Sequence, residues 1–468
     1  MTDEKREPGL ETIYLEEWLH NKIRHEALTD PDFRQFLGGR TPERLNRADV
    51  ERHQLFKLRK TLSYAYKNSS FYRDLLDENH IRSADITSLA DLARIPFTDQ
   101  ADLAKNPNRF LCVSHGDIAR VTTFTTSGTT GPEKRVYCTD TDIERMTEFM
   151  GAGMRTVARK EDVVQIMLPS GSLSNQADLL EQGVLKMGAK PVKAGFNLPS
   201  EEQLELIKKH GTTVIFGVTS PVYRMTQELK GSHALDKLGV KTIFLTSFLA
   251  DTQRAYLRQV WNCDVHSHYG LTEMGLAVAV ECHAHDGYHF NEADLLLEVI
   301  DPETGKVLEE GEGELVFTTL RREGTPLVRY RTNDIARLIP EPCSCGAATL
   351  IRFGTVTRRL EVMVRLARRH LIYPSLFDEV LYKLTDLVDY DLRVTSTGDR
   401  ERLHFTVEVI GPDHGIQDKI KRLLFHEQAV RALFAEGKMD EPEITVVPPG
   451  GISQMGRAKK KIIDERVS

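Results

Sequence analysis

The chain has no uninterrupted apolar stretch near the roughly 20 residues that a membrane-spanning helix needs. It has only six cysteines and two tryptophans in 468 residues. So sparse a cysteine set makes no disulfide framework, and a reducing, cytoplasmic location is the expectation. Positive charge is not in excess either. The net charge is −7 and the isoelectric point is near 6.2, so no basic field gathers nucleic acid. Short basic runs at 365–370 and 457–461 read as solvated faces. The charged start, residues 1–7, cannot form a signal-peptide core. No internal repeat or low-complexity tract is present. What remains is a chain long enough for two or three domains around a large buried core.

The most informative segment is Thr125-Thr126-Ser127-Gly128-Thr129-Thr130-Gly131, seven small residues of which five carry a hydroxyl. Backbone N–H groups in such a loop can close on an anion, and the hydroxyls add donors, which suits a polyphosphate. It is not a Walker loop, because no Lys-Ser/Thr pair follows and the first lysine is Lys134. A plain flexible linker is the alternative. Placement between two β-prone runs, Ile118–Val121 and Val136–Cys138, favours phosphate binding.

Residues 1–90 read as a polar helical leader, with apolar residues at three-to-four spacing over Glu11–His25 and Glu51–Leu76. Short strands and helices then alternate. Strands are expected at Val163–Leu168, Lys190–Val192, Thr213–Phe216 and Thr242–Leu245, and helices at Gln176–Met187, Glu201–His210 and Asp251–Trp261. That rhythm predicts an α/β fold with a parallel sheet covered on both faces. From Glu292 it becomes a β-meander, Asp294–Ile300 then Gly313–Thr319. A last segment reads strand (Glu361–Leu366), helix (Pro374–Leu387), hairpin (Asp391–Thr395 with Leu403–Ile410), helix (Ile416–Ala435) and strand (Glu443–Val447). This βαββαβ order predicts a small α+β domain. The division expected is a large domain over 1–355 and a small mobile one over 356–468.

Further motifs follow in order: Tyr269-Gly270-Leu271-Thr272-Glu273, Glu281-Cys282, Gly313–Thr319, Arg329–Asp334, Cys343-Ser344-Cys345-Gly346, and Gly456-Arg457-Ala458-Lys459. The ordered set resembles the adenylate-forming, acyl-activating superfamily, and within it the phenylacetate–CoA ligase-like branch, from about residue 50 onward. The resemblance implies activation of a carboxylic acid, aromatic or compact, by ATP, with release of pyrophosphate and transfer of the acyl group to coenzyme A. It implies that Thr126, Ser127, Gly128, Thr129, Thr130 and Gly131 cradle the phosphates, with Lys134 as a mobile extra cation. Glu273 is then a hard oxygen ligand for Mg²⁺, and Thr272 a donor to the α-phosphate. Tyr269, next to Gly270, offers a face to adenine, and Asp334 accepts from the ribose hydroxyls of ATP or AMP. The acyl pocket is expected around Ser170–Asn175, Gly217–Val222 and Tyr269.

Cys282, His289, Cys343 and Cys345 make a Cys₃His set, the pattern of a closed structural Zn²⁺ site, with His283 and His285 as competing imidazoles and free thiols as the alternative. Cys112, Cys138 and Cys263 read as small core residues. His266 and His268 read as core histidines or as lining of the acyl pocket. A homodimer is left open.

Four segments depart from the family pattern. Thr246-Ser247-Phe248 stands where relatives have Gly-Ala-Glu. The hinge reads Arg359-Leu360-Glu361-Val362. The loop Arg365–Leu371 lacks the glycine that lines the coenzyme A route, and bulk there crowds a pantetheine arm. The expected C-terminal lysine is Arg457, which hydrogen-bonds differently, or Lys459 if the register slips by two. Relatives that transfer AMP to a cofactor, and a nucleotide-binding protein without turnover, are the alternatives these departures raise.

Overall fold

The computed structural model describes residues 10–39, 43–125, 133–169, 176–366, 370–398, 400–411, 415–435, 439–453 and 460–466. The chain forms two compact units interleaved in sequence. One holds 1–161, 170–191 and 268–355; the other holds 162–169, 192–267 and 356–468.

The first unit opens with the helices Leu10–Thr29, Arg47–Asn68 and Ser70–Glu78. The single helix expected over Glu51–Leu76 is therefore two. Ser69 leaves the helical region (φ −100°, ψ 125°), and its hydroxyl accepts the Tyr72 N–H at 3.2 Å. A serine that caps the next helix satisfies a donor that would otherwise be orphaned, so the chain turns there. Arg120–Thr125 and Glu133–Cys138 then pair antiparallel, with Thr125 opposite Glu133 and Phe124 opposite Lys134. The motif residues 126–131 lie outside the described residues, between the paired ends of this hairpin.

Beyond residue 268 the meander is realised as antiparallel strands in the order Leu295–Ile300, Gly311–Thr319, Tyr330–Ile339, Arg352–Phe353, Tyr288–Phe290 and Ala279–Glu281. The pairing of Gly311–Thr319 with Tyr330–Ile339 jumps from Glu314↔Ile335 to Val316↔Arg331. Extra residues in the second strand bulge it and re-aim its side chains.

The second unit contains the expected parallel strands, Val163–Met167 beside Val214–Val218 beside Thr242–Thr246. Val214–Val218 is buried throughout, as a central parallel strand requires. Helices Ser200–His210, Thr219–Leu229 and Asp251–Trp261 alternate with these strands. Gly211 at φ 65° and Asn262 at φ 49° end two of them in the left-handed region, where glycine and asparagine are tolerated.

The unit's C-terminal sheet has the order Glu443–Val447, Arg400–Val409, Leu387–Thr397, Ile462–Asp464. The helix–hairpin–helix–strand order matches expectation, with four differences of detail. Val364–Leu366 pairs with His370–Ile372 in its own hairpin, and Ile462–Asp464 joins the sheet parallel to Leu387–Thr397. The helix Pro374–Leu381 stops early, because Leu387 enters the long strand. Ile416–His426 and Gln428–Ala435 are separate helices, broken where Glu427 turns extended (φ −73°, ψ 123°). One continuous core, including Trp261, Tyr223, Phe377 and Phe405, fills this unit. Within it Arg224 forks onto the fully buried Glu408 at 2.5 and 2.7 Å.

Candidate functional site

The strand Glu133–Cys138 alternates, so Glu133 and Arg135 face outward while Lys134 faces in and is 3% exposed. Its Nζ donates to Glu273 Oε1 at 2.9 Å and to Gln100 Oε1 at 2.6 Å. The Lys134 ammonium thus points into the interior. Strand periodicity is the reason.

Glu273 sits in a short turn, Thr272–Met274, closed by Gly275 at φ 96°. Its Oε1 also accepts from the Tyr330 hydroxyl at 2.8 Å, and its backbone carbonyl accepts from Arg322 at 3.0 Å. Removing a carboxylate and an ammonium from water costs several kcal/mol each, and is offset only when both are paired and hydrogen-bonded, as here. Thr272 is half-buried at the head of the turn.

Tyr269 ends the strand Asp264–Tyr269, and its hydroxyl donates to Asp334 Oδ2 at 2.6 Å. The Tyr269 ring is 5% exposed, near-parallel to Phe317 with centroids 6.4 Å apart, and edge-on to Phe353 at 5.4 Å. Gly270 follows because a Cβ there would lie 2.4 Å from the Leu276 carbonyl oxygen. Glycine is required for that approach.

The segment 329–334 is strained. Arg329 (φ 49°) and Asn333 (φ 62°) both occupy the left-handed region, which costs non-glycine residues energy. Arg329 is locked there by Glu298 at 2.9 Å, by the Ile95 carbonyl at 2.7 Å and by the Phe97 ring beneath it at 4.0 Å. The Asn333 N–H is tied to Glu314 Oε1 at 2.9 Å. This kinked path carries Tyr330 to Glu273 and Asp334 to Tyr269. The sequence reading missed Tyr330, Gln100 and Arg322. The extra residues in the bulge and the non-glycine turn at 329 carry no local signal that would have found them.

The second unit holds Arg359, half-buried in the strand Arg358–Arg359, with Glu361 in the turn that follows. Arg457, Lys459, 170–175 and 367–369 lie outside the described residues.

Cys282, His289, Cys343 and Cys345 are all buried, and their ligand atoms lie within 4.8 Å of one another. Strand pairing explains how distant residues meet. His289 is the Cα partner of both Val280 and Arg352, so the segment after Glu281 and the turn before Arg352 converge on it. Cys282 and Cys343 sulfurs are 3.6 Å apart, and Cys345 Sγ is 3.5 Å from His289 Nε2. Four ligands at zinc bond lengths would stand about 3.8 Å apart in a tetrahedron, so the set fits a zinc ion. The Cys282 hydrogen bond, together with the bond to His289, pulls the Cys345 thiol well below its ordinary value. Burial works against a charged His289, but the Cys343 and Cys345 thiols outweigh it and push it up to about 9. His283 and His285 stand outside the set, and His285 instead pairs with Glu281 at 3.3 Å.

The family model for AMP-binding enzymes matches residues 74–319. The phenylacetate-coenzyme A ligase of Pseudomonas putida is 30% identical over 389 residues, covering 81% of this chain and 86% of that protein. The enzyme of the same name from Aromatoleum evansii is 30% identical over 448 residues, covering 91% of this chain and 96% of its own. Among solved structures, 2-hydroxyisobutyryl-CoA ligase in complex with 2-HIB-AMP has the same fold, with a TM-score of 0.78 at 19% identity over 90% of this chain and 91% of that one. Lys134, Tyr269, Glu273 and Asp334 all fall in or near the matched span, in the motif order read from the sequence. The chain belongs to the AMP-binding enzyme family.

Proposed function

We propose that this protein is an AMP-forming acid–thiol ligase that activates a small, aryl or compact carboxylic acid and passes it to coenzyme A. In the first half-reaction a carboxylate oxygen bonds to the α-phosphorus of ATP and the bond to pyrophosphate breaks. In the second, the thiol sulfur bonds to the acyl carbon and AMP leaves. The observation that carries this reading is the buried array of Glu273 with Lys134 and Tyr330, beside Tyr269 holding Asp334. Repulsion between anions and positioning make up most of such a barrier, so fixed donors and cations do the work.

Thr126, Ser127, Gly128, Thr129, Thr130 and Gly131 would bind the phosphates, and Thr272 would donate to the α-phosphate. Asp334, oriented by Tyr269, has a carboxylate suited to ribose hydroxyls. Glu273 suits Mg²⁺, which when bound would screen the phosphate charge. Arg457 or Lys459 would supply a further cation from the small domain (356–468), moving about the hinge at Arg359 and Glu361. Cys282, His289, Cys343 and Cys345 would hold a Zn²⁺ with no open position, a brace rather than a catalyst. The sparse cysteine set supports a reducing cytoplasm. No helix among the described residues is long and apolar enough to cross a membrane.

The glycine-free stretch Arg365–Leu371 favours a second reading, in which the activated group goes to an acceptor other than coenzyme A. The test takes the acid that best supports ATP–pyrophosphate exchange and measures AMP release with and without coenzyme A. Release that follows coenzyme A at the exchange rate supports the ligase. Fast exchange with coenzyme A-independent release moves the reading to another acceptor.

A further inference from the structure

Glu273 cannot serve Lys134 and a divalent cation fully at the same time. The Lys134 ammonium is 2.9 Å from Oε1, the oxygen that also accepts the Tyr330 hydroxyl at 2.8 Å. Both side chains are all but closed to water, at 4% and 3% exposure. A Mg²⁺ on that oxygen sits at about 2.1 Å, hence no more than about 5 Å from the Lys134 nitrogen. Little water is there to screen a divalent ion from an ammonium at that range. One carboxylate carries one charge, and Lys134 already neutralises it.

We propose that Lys134 is an internal stand-in for the metal. It neutralises Glu273 while the nucleotide is absent, and it releases the carboxylate when a polyphosphate arrives to receive the ammonium. Lys134 is suited to the exchange. It lies two residues beyond Pro132 in the sequence, and besides Glu273 its Nζ donates to the neutral Gln100 carboxamide, so an incoming anion can take the place of the Glu273 carboxylate. The consequence is an order of binding: the divalent ion enters with or after the nucleotide, not before it. Empty protein is thereby kept from filling its metal position without substrate. Lys134 is a positioning residue in this account, acting through Glu273. The inference rests on the proposed role of Glu273 as the Mg²⁺ ligand.

The test is titration of the zinc-loaded full chain with Mn²⁺ alone, read by the free-ion paramagnetic signal, then repeated with a non-hydrolysable ATP analogue. In the parent protein the analogue should tighten Mn²⁺ at Glu273 at least ten-fold, and by linkage Mn²⁺ should tighten the analogue equally. Lys134→Met should bind Mn²⁺ alone at least ten-fold more tightly than the parent, with most of the coupling gone. Lys134→Gln, which keeps a polar group there, covers the case in which the methionine variant fails to fold. Glu273→Gln separates the two claims. If it leaves Mn²⁺ binding unchanged in the presence of the analogue, the metal role of Glu273 and the stand-in both fall. If it abolishes that binding while neither Lys134 variant tightens Mn²⁺ alone, only the stand-in is overturned.

Discussion

Two shielded lysines, one in each unit, are held on different terms. The Lys134 side chain is 4% exposed and donates to the Glu273 carboxylate and the Gln100 carboxamide. The Lys460 side chain is 16% exposed and meets two carboxylates, Asp378 at 3.0 Å and Asp389 at 3.1 Å. Its ammonium also bonds the Tyr382 hydroxyl at 2.7 Å and lies 3.9 Å from the Tyr390 ring centroid. Burial opposes its charge, but Asp378 and Asp389 outweigh burial and hold its pKa above the ordinary lysine value. The more exposed lysine is therefore the more firmly fastened. An ammonium shared by a carboxylate and a neutral carboxamide is handed to an arriving anion more readily than one held between two carboxylates and two rings. Lys460 fixes the chain just ahead of the strand Ile462–Asp464, and within the basic run at the C-terminus it is structural. Arg457 and Lys459 remain the candidates that the sequence raises for a reactive cation.

The comparison breaks first at Glu273. Glu273→Gln should lower ATP–pyrophosphate exchange by two or more orders of magnitude, in the range for loss of a group that stabilises transition-state charge. An exchange rate near that of the parent would remove Glu273 from the site. Lys460→Met comes next in size. It strands Asp378 and Asp389 and should cost about 3–5 kcal/mol in urea unfolding, with Mn²⁺ affinity unchanged. Lys134→Met should do the reverse, altering the metal response far more than Lys460→Met does. Equal effects of both variants on Mn²⁺ binding would erase the distinction.

A smaller effect concerns pH. Burial pushes the His268 imidazole down to about 4. Between that value and 6.5, its ordinary value, the unfolded chain binds a proton that the folded chain refuses. Stability should therefore fall as pH drops through this window, by up to about 3 kcal/mol for this group. His268→Gln, compared with the parent by denaturant unfolding at pH 7.5 and 4.5, should show a shallower loss. The smallest effect on activity is expected at the Cys₃His set. Metal analysis should find about one zinc per chain, and Cys345→Ala should lose it and lower the melting temperature before it slows exchange. Metal-free protein with unchanged thermal stability would reject the zinc.

Much of this fold was legible because the local and long-range signals agree. Asp251–Trp261 and Glu443–Val447 appear with the bounds that their periodicity sets, and the hydrophobic run around Val214–Val218 is the buried central strand it resembles. The breaks at Ser69 and Glu427 were not legible, since apolar spacing runs through both and the caps decide. At the candidate site, the residue types of Glu273, Asp334 and Tyr269 carry the proposed roles, but their partners did not declare themselves. Gln100 reaches Lys134 from a helix that starts just after Thr98 bridges to Tyr330, and Tyr330 reaches Glu273 beside an Arg329 pinned in a left-handed conformation by Glu298 and Phe97, in a strand that bulges opposite Glu314. Those are tertiary facts. The convergence of Cys282 with Cys343 and Cys345 on His289 likewise depends on strand order, which residue spacing alone does not specify.

The most direct test of the central claim is ATP–pyrophosphate exchange across a panel of carboxylic acids that includes phenylacetate and short branched acids. It reports formation of the acyl–AMP bond and makes no assumption about the final acceptor. The account predicts that labelled pyrophosphate enters ATP only when a fitting acid and a divalent metal are both present. Tight ATP binding, measured by calorimetry, with no acid-dependent exchange across the panel would contradict it.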